Sequence, residues 1–177
     1  MNGHCILSHG FESGPDATKV TALAEVAERL GWTHERPDYT AYDARQEVSE
    51  LGDVSGRRVH LRGLIENSLR NGPVVLAGSS LGSYISAMES VTYPVAGLFL
   101  MAPPIFRSYG GGSHQLQSGS MPISIVHPWD DELIPYAEVV DWAHDRRARL
   151  TLVKDTHRLT DHVEVSAQAF EQFLRAL

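Results

Sequence analysis

The chain has one cysteine, Cys5, which excludes an internal disulfide and any cysteine-rich zinc site. Cys5 lies in the apolar run Cys5-Ile6-Leu7, so it reads as a buried, inert thiol. That run is too short for a signal peptide and breaks at Ser8-His9-Gly10; no other stretch approaches the length of a membrane span. The expectation is a cytoplasmic protein with no membrane partner. There is no run of Lys or Arg, and the formal net charge is −7, so nucleic acid is not an expected partner. None of the nine histidines forms a His-Glu-x-x-His pair or another compact ligand set. Gly10-Phe11-Glu12-Ser13-Gly14, after the first apolar run, does not supply the dinucleotide fingerprint Gly-x-Gly-x-x-Gly. No metal and no cofactor are called for. Internal repeats are lacking too.

What remains is an ordinary globular composition. With 177 residues, 42% hydrophobic and 21% charged, the chain is long enough for one domain with a buried core, taken as residues 1–177. Short apolar runs read as strands at 5–8, 32–36, 74–77, 95–101, 122–127 and 150–153. Helical spacing follows most of them, with Val20, Leu23, Ala24, Ala27 and Leu30 on one face of the first helix. Further helices are expected over 56–70 (Val59, Leu61, Leu64, Ile65, Leu69), 81–90, 135–144 and 161–177, and a short one over 44–51. The Gly-, Ser- and Gln-rich stretch 108–120 reads as a surface loop. Val95–Met101 carries no charge, as a parallel strand covered on both faces should. Strands alternating with helices predict an α/β fold: a mostly parallel sheet of about six strands with helices on both faces.

Val74-Val75-Leu76-Ala77 runs into Gly78-Ser79-Ser80-Leu81-Gly82 and then into a helical segment. This is the strand–turn–helix setting in which Gly-x-Ser-x-Gly raises a serine hydroxyl on a turn too tight for flanking side chains. A serine needs a base, and the base needs an acid to orient it. Downstream, in the order acid then histidine, His127-Pro128-Trp129-Asp130-Asp131-Glu132 follows one strand and Lys154-Asp155-Thr156-His157 another. Both loops are expected at the carboxyl edge of the sheet, where such folds bind ligands.

These residues resemble the α/β-hydrolase superfamily, in particular its small, lidless serine-esterase branch. Ser8-His9-Gly10-Phe11 resembles that fold's His-Gly loop, Gly78–Gly82 its nucleophile elbow, His127–Pro135 its acid loop and His157-Arg158-Leu159 its late histidine loop. The likeness covers nearly the whole chain. Two departures stand out: Pro128 replaces a glycine of the acid loop, and the first two antiparallel strands of larger members are missing. The resemblance implies Ser80 as nucleophile, His157 as base and Asp131 as the orienting acid, with the backbone N–H groups of Phe11 and Leu81 receiving the oxyanion.

Each assignment has a plainer rival. Asp130 and Glu132 share the acid loop, but the spacing of Asp131 from His127 and Pro135 fits the family pattern. His162 competes with His157 but falls in the expected last helix. His127 reads as a strand-end histidine shaping the acid loop, and His9 as a ring that fixes the oxyanion loop without moving a proton. Met101, Ile105, Phe106, Trp129 and Ile134 fall near strand ends and are candidates for an apolar acyl pocket. The expected activity is hydrolysis of small to medium carboxylic esters. Thioesters or amides on the same triad are alternatives, as is a non-catalytic interaction module on the hydrolase scaffold.

Overall fold

Six short runs, His4–Ser8 (β1), Thr33–Glu35 (β2), Val74–Ser79 (β3), Gly97–Met101 (β4), Ile123–Pro128 (β5) and Arg149–Val153 (β6), pair in the order β2-β1-β3-β4-β5-β6. Every pair is parallel. The computed structural model describes residues 2–106 and 114–177. The chain builds outward from β1 to β2, then crosses back over β1 to lay down the other four strands in sequence. The direction of winding therefore switches between β1 and β3, and the carboxyl ends of those two strands flank the crevice that such a switch opens.

Because side chains alternate across a strand, each central strand feeds two cores. Val74 and Leu76 of β3 join Leu61 and Ile65 of Val54–Leu69 (α3), Ile85 of Leu81–Ser90 (α4) and Trp142 of Tyr136–Arg146 (α5). Val75 and Ala77 join the opposite core with Val20 and Leu23 of Thr18–Arg29 (α1) and Phe170 of Val163–Ala176 (α6). On that second face Phe99 of β4 meets Phe170 at 4.9 Å between ring centres, a contact worth about 0.5–1.5 kcal/mol beyond the area buried. Cys5 lies there as well, fully buried in β1, and burial pushes its thiol up to about 12.

Expected and observed elements differ mainly where side-chain hydrogen bonds overrule periodicity. The short helix expected over 44–51 is instead Thr40–Asp43 (α2), started by Asp38, whose Oδ1 accepts the Thr40 N–H at 2.9 Å. Residues 46–48 and 50–51 are turns, tied by the Ser49 hydroxyl to the Gly52 carbonyl and by the Asp53 N–H to the Tyr42 carbonyl. Asp53 then caps α3 through the Gly56 N–H at 2.7 Å. Within α3 two positions run against the pattern: Val59, one of the apolar residues that predict this helix, is exposed, and Arg57 is fully buried. Of the surface loop expected over 108–120, residues 108–113 lie outside the described residues. The remainder is anchored, with Leu116 buried and its carbonyl accepting the Trp142 indole N–H at 2.8 Å.

The turn between β3 and α4 is set by two close approaches. A Cβ on Gly78 would come within 2.3 Å of the Gly82 carbonyl carbon, and one on Gly82 within 2.1 Å of the Ser8 carbonyl oxygen. Neither glycine has a left-handed φ, so the requirement is room rather than backbone freedom. Gly82→Ala should therefore force β1 and α4 apart and cost about 1–3 kcal/mol or more in urea unfolding. Gly63→Ala, whose added Cβ would meet nothing within 4 Å on the outside of α3, should instead stabilise by up to about 1 kcal/mol. Equal effects at the two sites would contradict this packing.

Candidate active site

Ser80 sits between β3 and α4 at φ 51°, ψ −114°, a region that a serine occupies only under constraint. The constraint is visible: its N–H donates to the Met101 carbonyl at 2.9 Å, and its carbonyl accepts from Tyr84 at 3.1 Å. The Ser83 hydroxyl ties the elbow to β4, lying 2.7 Å from the Gly78 carbonyl oxygen and 2.9 Å from that of Met101. The Ser80 Oγ thus points away from both cores, at the carboxyl edge of the sheet.

His157 approaches from the loop after β6, with Nε2 2.9 Å from Ser80 Oγ. Its Nδ1 lies 2.9 and 3.1 Å from the two oxygens of Asp131, in the loop after β5. A carboxylate can only accept there, so Nδ1 carries the proton and the Nε2 lone pair faces the serine hydroxyl. Asp131 is completely covered, yet its Oδ1 also accepts the N–H groups of Leu133 and Ile134 at 2.9 and 2.8 Å. Burial raises its carboxyl pKa, but these hydrogen bonds and the one from His157 outweigh it and leave the group below its ordinary value.

The neighbouring acids are sorted by geometry. Asp130 is exposed, while Glu132 accepts the His157 backbone N–H at 3.1 Å and so holds the histidine loop. Asp155, absent from the sequence reading as a site residue, is buried; its carboxylate accepts the N–H groups of Thr156, Asp161 and His162. His162 stands just before α6 and faces Glu164, away from Ser80. His127 is buried, with Nε2 3.1 Å from the Ile134 carbonyl, and so shapes the acid loop. Pro128 remains the last residue of β5, in register with Val153, so the proline leaves the strand intact.

Phe11 follows β1 and Leu81 opens α4, and neither backbone N–H has an acceptor among the described residues. The loop carrying Phe11 is held from behind. His9 accepts the Tyr39 N–H on Nε2 at 2.9 Å, and its Nδ1 lies 2.8 Å from the Gly10 carbonyl oxygen. Burial pulls the pKa of this ring down, in keeping with a neutral imidazole that has one donor and one acceptor nitrogen in use. Arg57 and Asp43 pack behind the same loop. The sequence offered Arg57 only as one of four arginines on the helix expected over 56–70, and Asp43 only as an acid just before the short helix expected over 44–51.

An open cavity of about 590 Å³ lies over Ser80 and His157. Of the apolar residues named from sequence, Phe11, Leu81 and Ile134 line it. Met101 and Ile105 do not: both are buried, one in each core. Phe106 and Trp129 are exposed away from it, Trp129 packing edge-on against Tyr136. In their place the lining includes Leu51, Pro104, Leu133 and the charged Glu12, Lys19, Glu132 and Arg158. A hollow of about 650 Å³ lined by His4, Thr33, Glu35 and Pro73 opens at the other, amino end of the strands, away from this chemistry. Among the described residues, no group of three or more His, Cys, Asp or Glu is placed to hold a metal ion. No helix among them is long and apolar enough to cross a membrane.

A protein from Xanthomonas campestris pv. campestris, assigned to the hydrolases of the α/β superfamily, is 58% identical over 99% of both chains and superposes with a TM-score of 0.95. A serine hydrolase without a lid from Xanthomonas campestris shares 18% identity, over 97% of this chain and 81% of its own, at a TM-score of 0.72. An α/β serine hydrolase homologue from Coxiella burnetii shares 21%, over 98% and 86%, at 0.69. At those lower identities the likeness is one of fold. No protein-family model and no curated protein sequence matches the chain. The fold and the first of these relatives place the chain in the α/β-hydrolase superfamily.

Lys19, in the first turn of α1, offers a test of the cavity's electrostatics. Burial, helped by the charge of Arg158, pulls its ammonium down to about 8 against the attraction of Asp155 and Asp131. Between about 8 and the ordinary 10.5 the unfolded chain binds the proton that the native state has lost, so this group's contribution to stability rises with pH. Lys19→Met should raise Tm at pH 7, and the gain over wild type should shrink as pH climbs through that window. A gain that does not vary with pH would contradict a desolvated amine.

Proposed function

We propose that the protein is a serine hydrolase of small to medium carboxylic esters, with the whole chain acting as one catalytic domain. The observation that carries this reading is the continuous hydrogen-bonded path from Asp131 through His157 to Ser80. Along it, Ser80 Oγ adds to the ester carbonyl carbon while its proton passes to His157 Nε2, and Asp131 stabilises the imidazolium that forms. The carbonyl π electrons move onto oxygen, which the Phe11 and Leu81 N–H groups receive. The tetrahedral adduct collapses, the C–O bond to the alcohol breaks, and His157 returns its proton to that oxygen. Water, deprotonated by the same nitrogen, then cleaves the acyl-Ser80 ester and frees the acid.

The cavity favours soluble acyl substrates of modest size. It is open, and its lining mixes the apolar Phe11, Leu81 and Ile134 with charged side chains. Ser80→Ala should abolish hydrolysis of a p-nitrophenyl ester and labelling by a fluorophosphonate, with Tm nearly unchanged, because the residue is only half-buried. Asp131→Asn should lower kcat roughly 10⁴-fold by favouring the wrong tautomer. A folded wild type that neither labels nor turns over esters would instead favour a scaffold retained for binding. kcat/KM for oxygen esters should exceed that for thioesters of matched acyl length; the reverse order would make the protein a thioesterase.

A further inference from the structure

Three successive peptide units after β1 are held by side chains. Arg57 donates from Nη1 to the His9 carbonyl and from Nη2 to the Gly10 carbonyl, each at 3.1 Å. The Gly10 oxygen also lies 2.8 Å from His9 Nδ1. One unit further on, the Glu12 N–H donates to Asp43 Oδ2 at 3.1 Å. Asp43 in turn pairs with Arg57 through both its oxygens, 2.6 Å from Nε to Oδ1 and closely from Nη2 to Oδ2. Four of the five guanidinium N–H groups are thus in use, and the Tyr39 ring lies 4.8 Å from its carbon. Both side chains are buried.

The Gly10 carbonyl and the Phe11 N–H belong to one trans peptide and so point in opposite directions. With the oxygen fixed toward the buried guanidinium, the N–H faces the cavity that Phe11 and Ser80 line. Glu12, on the far side of Phe11, is kept at a left-handed φ of 52°, strain that a loop free to relax would shed. We infer that the buried Arg57–Asp43 pair is the positioning device of the oxyanion hole, aiming the Phe11 N–H into the cleft and polarising it; this rests on the hydrolase reading above. A charge-assisted bond at the carbonyl end of a peptide draws electron density from its N–H end and strengthens it as a donor. Asp43 neutralises the guanidinium, so the positive end is presented as a directed dipole rather than as a free cation. Stability alone does not account for the pair, because buried ion pairs are often replaced by apolar residues without loss.

The test uses the full chain carrying Arg57→Met, Arg57→Lys and Asp43→Asn. For Arg57→Met, kcat on p-nitrophenyl acetate should fall roughly 10²–10³-fold, the range for losing one oxyanion donor, with KM within about threefold. Lysine, keeping the charge without the fork, should recover part of the loss, and Asp43→Asn should fall between. Affinity for a trifluoromethyl ketone, whose adduct carries the oxyanion, should drop in step with kcat/KM. The acid limb of the pH profile, which reports the base, should stay in place. Should Arg57→Met fail to fold, the other two variants carry the comparison. Folded variants with wild-type kcat, or with losses that ketone affinity does not follow, would overturn the clamp alone. A wild type inert to esters and to fluorophosphonate would overturn the hydrolase reading and the clamp with it.

Discussion

The rim of this sheet depends on how closely the loop after β1 lies against the elbow after β3. The Ser8 carbonyl oxygen occupies the space a side chain on Gly82 would need, and a Cβ on Gly10 would sit 3.7 Å from that of Ser80. Since β1 and β3 are neighbours in register from His4–Val74 to Ser8–Gly78, the loop that carries Gly10 and Phe11 meets the Ser80 elbow although the two are distant in sequence. Neighbouring parallel strands lie about 4.8 Å apart, and two short loops leaving adjacent ends need no long excursion to meet. Winding order, glycine placement and strained serine are one arrangement.

Charge is handled differently at the front and back of that arrangement. On the surface, pairs such as Arg175–Glu171 lie in solvent, where screening leaves an ion pair contributing little. Behind the loop after β1, Arg57 is fully and Asp43 almost fully withdrawn from water, and removing either would strand the other at about 3–5 kcal/mol. In front, the Asp131 side chain is covered but accepts two backbone N–H groups besides the imidazole, and these bonds hold its pKa below the ordinary value against the upward pull of burial. Asp155 does the same for the backbone of the histidine loop. Each carboxylate thus accepts amides of the loop it shapes, and all three loops are braced in the same way.

The sequence made the sheet legible because β1, β3, β4 and β5 are runs without Asp, Glu, Lys or Arg, punctuated by glycine and proline, and the elbow legible because Gly78 and Gly82 are sterically required. Ser80, Asp131 and His157 could be placed together because each follows a recognisable strand. Arg57 and Asp43 could not: they are 14 residues apart, and an arginine inside an amphipathic helix reads as a solvated face. Met101 and Ile105 were taken for pocket residues because they end or follow a strand. β4, however, is central and covered on both sides, and the chain beyond it turns back into the core at Ala102, whose φ is 45°. Proximity to a strand end marks the rim only where the next residues leave the sheet, as they do after β3, β5 and β6.

The lone sulfur has a use of its own. Cys5 lies in β1, between β2 and β3, with no exposed surface and a thiol that burial keeps protonated through the physiological range. The side chain faces the core under α1 and α6, so a disulfide reagent reaches it when that layer opens, and its rate of modification counts such openings instead of surface collisions. Because the same strand carries the loop on which Phe11 sits, the native chain holds a built-in clock for the integrity of the core beneath that loop, one that can be followed without adding a label.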